Sequence, residues 1–167
     1  MACEPNAPKG SFYVKISKAE CPRSARIVLA REIATTFADK NRLLEEVVEC
    51  LRGGLVADER EMFRVRLSID EGVQNAFSHG NGEDPRKRIR LEVFEDEDRW
   101  GVIVRDEGEG FAHEAVSDPR TPEGRWREHG RGLMIMWEFM DEVSYFDGGR
   151  TLRLVKRKTG KRSLSTA

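Results

Sequence analysis

Between Pro22 and Gly54 the apolar residues Ile27, Val28, Ile33, Ala34, Phe37, Leu44, Val47, Val48 and Leu51 recur at three- and four-residue steps. That is the spacing of one helix face, so the pattern predicts a long or broken amphipathic helix ending at Gly53-Gly54, with any break between Asp39 and Arg42. Asp58 can cap a second helix with Glu61 three residues on. Phe63, Leu67, Val73 and Phe77 would line its buried side, and Gly80 would stop it. Ahead of both helices, Ser11 to Ile16 has the aromatic and β-branched content of a strand. Beyond Pro85 the period falls to two: Ile89, Leu91 and Val93 alternate with Arg88, Arg90 and Glu92, and Trp100, Val102 and Val104 follow the acidic turn Glu95 to Asp98. This predicts a β-hairpin. Residues 111–129 mix charges with Pro119, Pro122 and Gly124 and read as one long functional loop. Leu133 to Met140 reads as a short apolar helix, and Val143 to Phe146 and Thr151 to Val155 as closing strands. The expected class is α+β, a two-layer sandwich in which helices cover one face of a mixed, mostly antiparallel sheet.

Composition narrows the classes of function. The chain has 167 residues, 38% hydrophobic and 35% charged, which suits one globular domain. Residues 1–10 form a Pro- and Gly-containing lead-in, 11–158 the domain and 159–167 a basic tail. Lys and Arg (29) nearly cancel Asp and Glu (30), leaving no electrostatic footprint for nucleic acid or an anionic membrane. The three cysteines, Cys3, Cys21 and Cys50, form no C-x-x-C pair and argue against a disulfide framework or zinc site. A reducing cytoplasm is the expected compartment. No stretch approaches the ~18 apolar residues of a membrane span.

The candidate chemistry sits in short segments in a fixed order. Glu71 and Asn75 are one helical turn apart, so both leave one face and can share a phosphate–metal site. An amide oxygen such as that of Asn75 is a hard neutral ligand suited to Mg²⁺. Glu71 is the candidate general base for an attacking hydroxyl or water. Asp106 follows an apolar strand, where a carboxylate can accept from the exocyclic amine of adenine. Gly108 and Gly110 behind it let the backbone come close to a ligand. Gly130, Arg131 and Gly132 open the helix of Leu133, so unpaired N–H groups and the positive dipole end face an anion. Arg131 or Arg127 would add a cation, and Thr151 follows the late glycine pair Gly148-Gly149. Alone, each segment reads as an ordinary helix face or turn; in this order they describe one ATP pocket.

Over about Ser11 to Lys158 the chain resembles the GHKL (Bergerat-fold, histidine-kinase-like) ATPases, and within them the anti-sigma-factor serine kinases of bacterial partner switching. Ser68-Ile-Asp-Glu-Gly-Val-Gln-Asn-Ala-Phe-Ser-His-Gly80 resembles the family's N box, with Glu71 as base and Asn75 as Mg²⁺ ligand. Val104-Arg-Asp-Glu-Gly-Glu-Gly-Phe111 resembles the first glycine box, which makes Asp106 the adenine contact. Gly130-Arg-Gly-Leu133 resembles the second. Met140-Asp-Glu-Val143 and Gly149-Arg-Thr151 are similar to the family's ending, with Thr151 near the adenine. Ser117-Asp-Pro119 falls in a segment, from about Phe111 to His129, that the resemblance makes a lid. The resemblance implies an ATP- and Mg²⁺-dependent kinase that phosphorylates a serine of a STAS-domain anti-anti-sigma protein and holds a sigma factor inactive, with homodimerisation a family expectation.

Two other readings compete. A non-catalytic module would use ATP only to order its lid around a protein partner. A stand-alone histidine kinase core needs a phosphoacceptor on a preceding helix, whereas His79, His113 and His129 fall in the N box and lid. His79 reads first as a helix-end residue. Met134, Met136, Met140 and Trp137 read as core or as a partner groove, and Trp126 as a partner contact or a clamp over the nucleotide.

Overall fold

The computed structural model describes residues 15–22, 26–111 and 130–158. In chain order these form β1 (Lys15–Ile16), β2 (Arg26–Ala34), α1 (Phe37–Arg52), α2 (Glu59–Asn75), a π-helical turn (Ala76–Gly80), β3 (Arg88–Glu95), β4 (Arg99–Arg105), α3 (Gly130–Phe139), β5 (Glu142–Phe146), a 3₁₀ turn (Asp147–Gly149) and β6 (Thr151–Arg157). The strands make one 6-stranded sheet in the order β1-β5-β6-β4-β3-β2. β1 runs parallel to β5 and every other neighbouring pair is antiparallel, so the sheet is mixed as expected.

The hairpin β3–β4 shows why the period-two pattern was informative. Ile89, Leu91 and Val93 turn to the helices and are buried, while Arg88 and Arg90 are exposed. Facing them, α1 contributes Leu43, Leu44, Val47, Val48 and Leu51, α2 contributes Met62, Val65, Ile69 and Val73, and α3 contributes Met136 to the same core. Phe94, Ile103 and Val155 form a smaller buried cluster with Cys21. Among the described residues no helix is long and apolar enough to cross a membrane.

The region after Pro22 differs from the expected helix. Arg26–Ala34 is an edge strand paired with β3 along its length, with a register shift between Ile27 and Leu29. Leu29 and Ile33, which pack on the core, are four apart; four residues return to the same side of a strand as well as of a helix. Pairing with β3 settled that ambiguity in favour of the strand. The chain turns into α1 at Thr35-Thr36 rather than at Asp39–Arg42: the Asp39 N–H donates to Thr36 Oγ1 at 3.2 Å, and the Thr36 hydroxyl donates back to the Asp39 carboxylate.

The start of α2 is as expected, with the Glu61 N–H donating to Asp58 Oδ1 at 2.8 Å. On its buried side Val73 is buried as expected, Leu67 is half-buried and Phe63 departs from the pattern. Phe63 is 66% exposed, because the core-facing stripe runs through Met62, Val65, Ile69 and Val73, one position out of phase with it. Phe77 is buried as expected. The loop 112–129, with His113, Ser117, Trp126, Arg127 and His129, the lead-in and the tail lie outside the described residues.

Candidate functional site

Each candidate side chain is placed by the end of a regular element. Asp106 lies one residue past β4. Its N–H donates to the Arg150 carbonyl at 3.0 Å, extending the β4–β6 ladder a step beyond the Arg105–Thr151 pair. Asp106 Oδ1 accepts the Gly108 N–H at 2.8 Å. The neighbouring backbone leaves room only for hydrogen: a Cβ at Gly80 would fall 2.3 Å from Asp106 Cγ, and one at Gly108 would fall 2.1 Å from the Gly80 carbonyl oxygen. The end of the π-turn and the Asp106-x-Gly108 loop are therefore packed face to face. Burial pushes the Asp106 carboxyl up to about 6, opposed by the Gly108 N–H and the charges of Arg150 and Lys87.

Gly110 has φ +76°, and a Cβ there would overlap the Gly148 carbonyl oxygen at 2.1 Å. That carbonyl accepts the Phe111 N–H at 3.0 Å. The Phe111 ring then meets Tyr145 edge to face, centroids 4.9 Å apart. Tyr145 joins the two halves of the site. Burial above all pushes its hydroxyl up to about 12, while the Asn75 side chain lowers it and the charge of Asp106 raises it. Thr151 is 2% exposed, and its hydroxyl donates to Asp147 Oδ2 at 2.5 Å.

At the other end, the Glu71 carboxylate rests on the first turn of α3: a Cβ at Gly132 would fall 2.5 Å from Glu71 Oε2. Burial, and next the charge of Asp70, hold the Glu71 carboxyl above its usual range, while Arg131 and Lys40 pull it down. Arg131 thus acts on Glu71 electrostatically. Gly130 opens α3, and Leu133 is buried in the core behind this turn. Glu71, Arg131 and Gly132 meet at one end; Asp106 and Gly108 meet at the other, while Gly110 packs on the Gly148 carbonyl and Thr151 bonds Asp147; Tyr145 lies between Asn75 and Asp106.

Sequence reasoning missed three contributors. Tyr145 reads as a core aromatic in a strand. Lys40 reads as solvated, yet its ammonium donates to Gln74 Oε1 at 2.5 Å and lies 3.7 Å from Asp70 Oδ1. Asn81 precedes a glycine and reads as a turn residue. Instead its side chain is 1% exposed and makes three hydrogen bonds: Nδ2 donates to Thr35 Oγ1 (2.8 Å) and the Arg88 carbonyl (2.9 Å), and Oδ1 accepts the Glu107 N–H (2.8 Å).

A mixed, mostly antiparallel sheet with helices packed on one face, one of them carrying an acid and an amide a turn apart, is a two-layer α+β fold. Residues 22–156 match the histidine kinase-like ATPase domain, and the chain belongs to that family. It is 30% identical over 111 residues to the Anti-sigma F factor of Anoxybacillus flavithermus, covering 62% of this chain and 75% of that protein. It is 32% identical over 109 residues to the Anti-sigma F factor of Geobacillus thermodenitrificans, with coverage of 62% and 75%. It is also 31% identical over 101 residues to the Serine-protein kinase RsbW of Staphylococcus epidermidis, covering 54% of this chain and 62% of that protein.

Proposed function

We propose that this chain, through a single domain spanning residues 11–158, is an ATP-dependent protein serine kinase that serves as an anti-sigma factor. It phosphorylates a serine of a STAS-domain anti-anti-sigma protein and, in the alternate partnership, sequesters a sigma factor in the cytoplasm. The names of its relatives support the two activities. The observation that carries the reading is the meeting of Glu71 with Gly132 and Arg131 on one side of Asn75 and Tyr145, and of Asp106 with Gly108 on the other.

In this reading Asp106, with one oxygen held by the Gly108 N–H, offers its remaining lone pairs to the exocyclic amine of adenine. Thr151, Gly108 and Gly110 border the base. Gly130, Arg131, Gly132 and Leu133 form the first turn of α3 and present backbone N–H groups to the phosphates. The donor set suits Mg²⁺, which takes one or two protein oxygens together with phosphates and waters; Asn75 would hold it, one turn from Glu71. Bound there, the ion would neutralise charge developing on the transferred phosphoryl group. Glu71 accepts the proton of the serine hydroxyl. Its burial makes it a stronger base than an exposed glutamate, and Arg131 and Lys40 favour its charged form.

The test is incubation with labelled ATP, Mg²⁺ and a STAS-domain protein recovered from the source cytoplasm. Acid-stable label on a serine of that protein is expected, and Glu71→Ala should abolish it. Partner capture that depends on ATP but transfers no label would overturn the kinase assignment in favour of a non-catalytic module.

A further inference from the structure

Asp106 is held at its own N–H by the Arg150 carbonyl at 3.0 Å, where β4 ends, and is followed by a loop with few means of holding itself. Its Oδ1 bonds only two residues along, to the Gly108 N–H, which shapes the turn but does not anchor it to the rest of the molecule. Beyond the Arg150 bond, attachment comes from Asn81. Its Oδ1 receives the N–H of Glu107, the residue immediately after Asp106, and its Nδ2 is spent on Thr35 Oγ1 and the Arg88 carbonyl. The anchor is itself anchored: the Asn81 N–H donates to the Ala76 carbonyl at 2.8 Å, closing the π-turn, and the Thr35 hydroxyl donates to the Lys87 carbonyl at 2.9 Å. Glu107 returns a bond, its Oε2 accepting the Arg88 N–H at 2.7 Å. One buried amide thus ties the exit of α2, the start of β3, the β2–α1 junction and the Asp106 loop together.

We propose that Asn81 is a specificity-determining positioning residue: by holding the Glu107 N–H it fixes where the Asp106 carboxylate stands, and so sets the preference for a base that presents an amine over one that presents a carbonyl. The proposal rests on the nucleotide-site reading above and deepens it. An amide is the side chain the position calls for, since it must accept from one backbone N–H and donate twice with no net charge in a buried place. A loop released from it lets Asp106 turn to solvent, which the desolvation of its carboxylate favours.

The experiment is calorimetric titration of the full chain with Mg²⁺-ATP and Mg²⁺-GTP, in wild type, Asn81→Ala and Thr35→Val, at a temperature where each is folded by circular dichroism. Asn81→Ala should bind ATP about 10- to 100-fold more weakly, the range for losing a charge-assisted hydrogen bond, and should narrow the ATP:GTP ratio by a similar factor. Thr35→Val, which keeps the Glu107 bond, should lose stability while leaving that ratio within about twofold. Wild-type affinity and selectivity in a folded Asn81→Ala chain would overturn the proposal, as would a selectivity loss in Thr35→Val matching that in Asn81→Ala. Amide hydrogen exchange of the wild type needs no variant. The Glu107 N–H should exchange as slowly as the neighbouring strand amides, and exchange at the rate of an open loop would also overturn the proposal. A wild-type chain that binds neither nucleotide would instead overturn the nucleotide-site reading.

Discussion

Gly80 and Asp106 occupy adjoining space with no margin between them: a methyl group on Gly80 would fall 2.3 Å from Asp106 Cγ and 2.6 Å from both carboxylate oxygens. The carboxylate cannot retreat without leaving the Gly108 N–H that holds it at 2.8 Å. Gly80→Ala should therefore displace the acceptor rather than unfold the chain. We expect a loss of about 1–3 kcal/mol in denaturant unfolding, the usual cost of overpacking. ATP affinity should fall at least about tenfold, as for losing a bond to a charged group. Unchanged affinity by calorimetry would remove Asp106 from the base site.

The same carboxylate makes a pH prediction with a definite sign. Folding raises the Asp106 carboxyl from 3.8 to about 6 because burial disfavours its charge. Over that interval the folded chain holds more protons than the unfolded one, so the contribution of Asp106 to stability is full at low pH and is lost as pH rises through about 6. Asp106→Asn should accordingly raise the melting temperature at pH 7 and have less effect at pH 5. In the wild type, ATP affinity should rise with pH through the same window, since only the ionised form is purely an acceptor. The Asp106→Asn variant should bind poorly at every pH, because its amide oxygen is needed by Gly108 and its NH₂ would oppose the adenine amine. A variant that melts lower at pH 7 would contradict the cause assigned to the shift.

Gly132 and Glu71 offer a way to separate chemistry from binding. A Cβ at Gly132 would fall 2.5 Å from Glu71 Oε2, so Gly132→Ala should push the base aside at the opposite end of the site from Asp106. Phosphotransfer should slow by about 10²–10⁴, the range associated with a positioned general base. The dissociation constant for ATP should change only a few-fold. Equal losses in rate and affinity would mean that the substitution disturbs the phosphate site rather than the base.

The parts of this molecule legible in its sequence were those whose signal is local. The hairpin β3–β4 declared itself because Arg88 and Arg90 face solvent between buried Ile89, Leu91 and Val93. Glu71 and Asn75 needed only helical periodicity to be placed on one face. Misreadings arose where the deciding contact lies far along the chain. Ile27, Val28 and Ile33 have helical spacing, but β2 pairs with β3, a segment about sixty residues away by the register Ile33 to Ile89, and Ile27 and Val28 are left exposed. Phe63 looked like core because its type is apolar, yet the phase of the stripe through Met62 and Val65 leaves it outside. Asn81 and Tyr145 acquire their roles only from partners such as Glu107, Thr35 and Asn75, brought up by the sheet and its turns.

Lys40 and Asp70 yield a prediction in which two substitutions move one titration in opposite directions. Asp70 precedes Glu71 on α2, and its charge raises the Glu71 carboxyl; Lys40, reaching across from α1, lowers it. Lys40 also lies 3.7 Å from Asp70, so it partly neutralises the residue that opposes ionisation of Glu71. Lys40→Met removes both favourable effects and should move the Glu71 midpoint to higher pH, whereas Asp70→Asn should move it lower. The Glu71 side-chain carbon can be followed directly by NMR titration. In transfer assays the acid limb of the pH–rate profile should follow the same order, because the base must be ionised to accept a proton. Lys40→Arg should stay near wild type. A loss of packing at the α1–α2 contact would depress the rate at all pH values in both variants, and shifts of the same sign would show that Lys40 acts on Glu71 through structure rather than through charge.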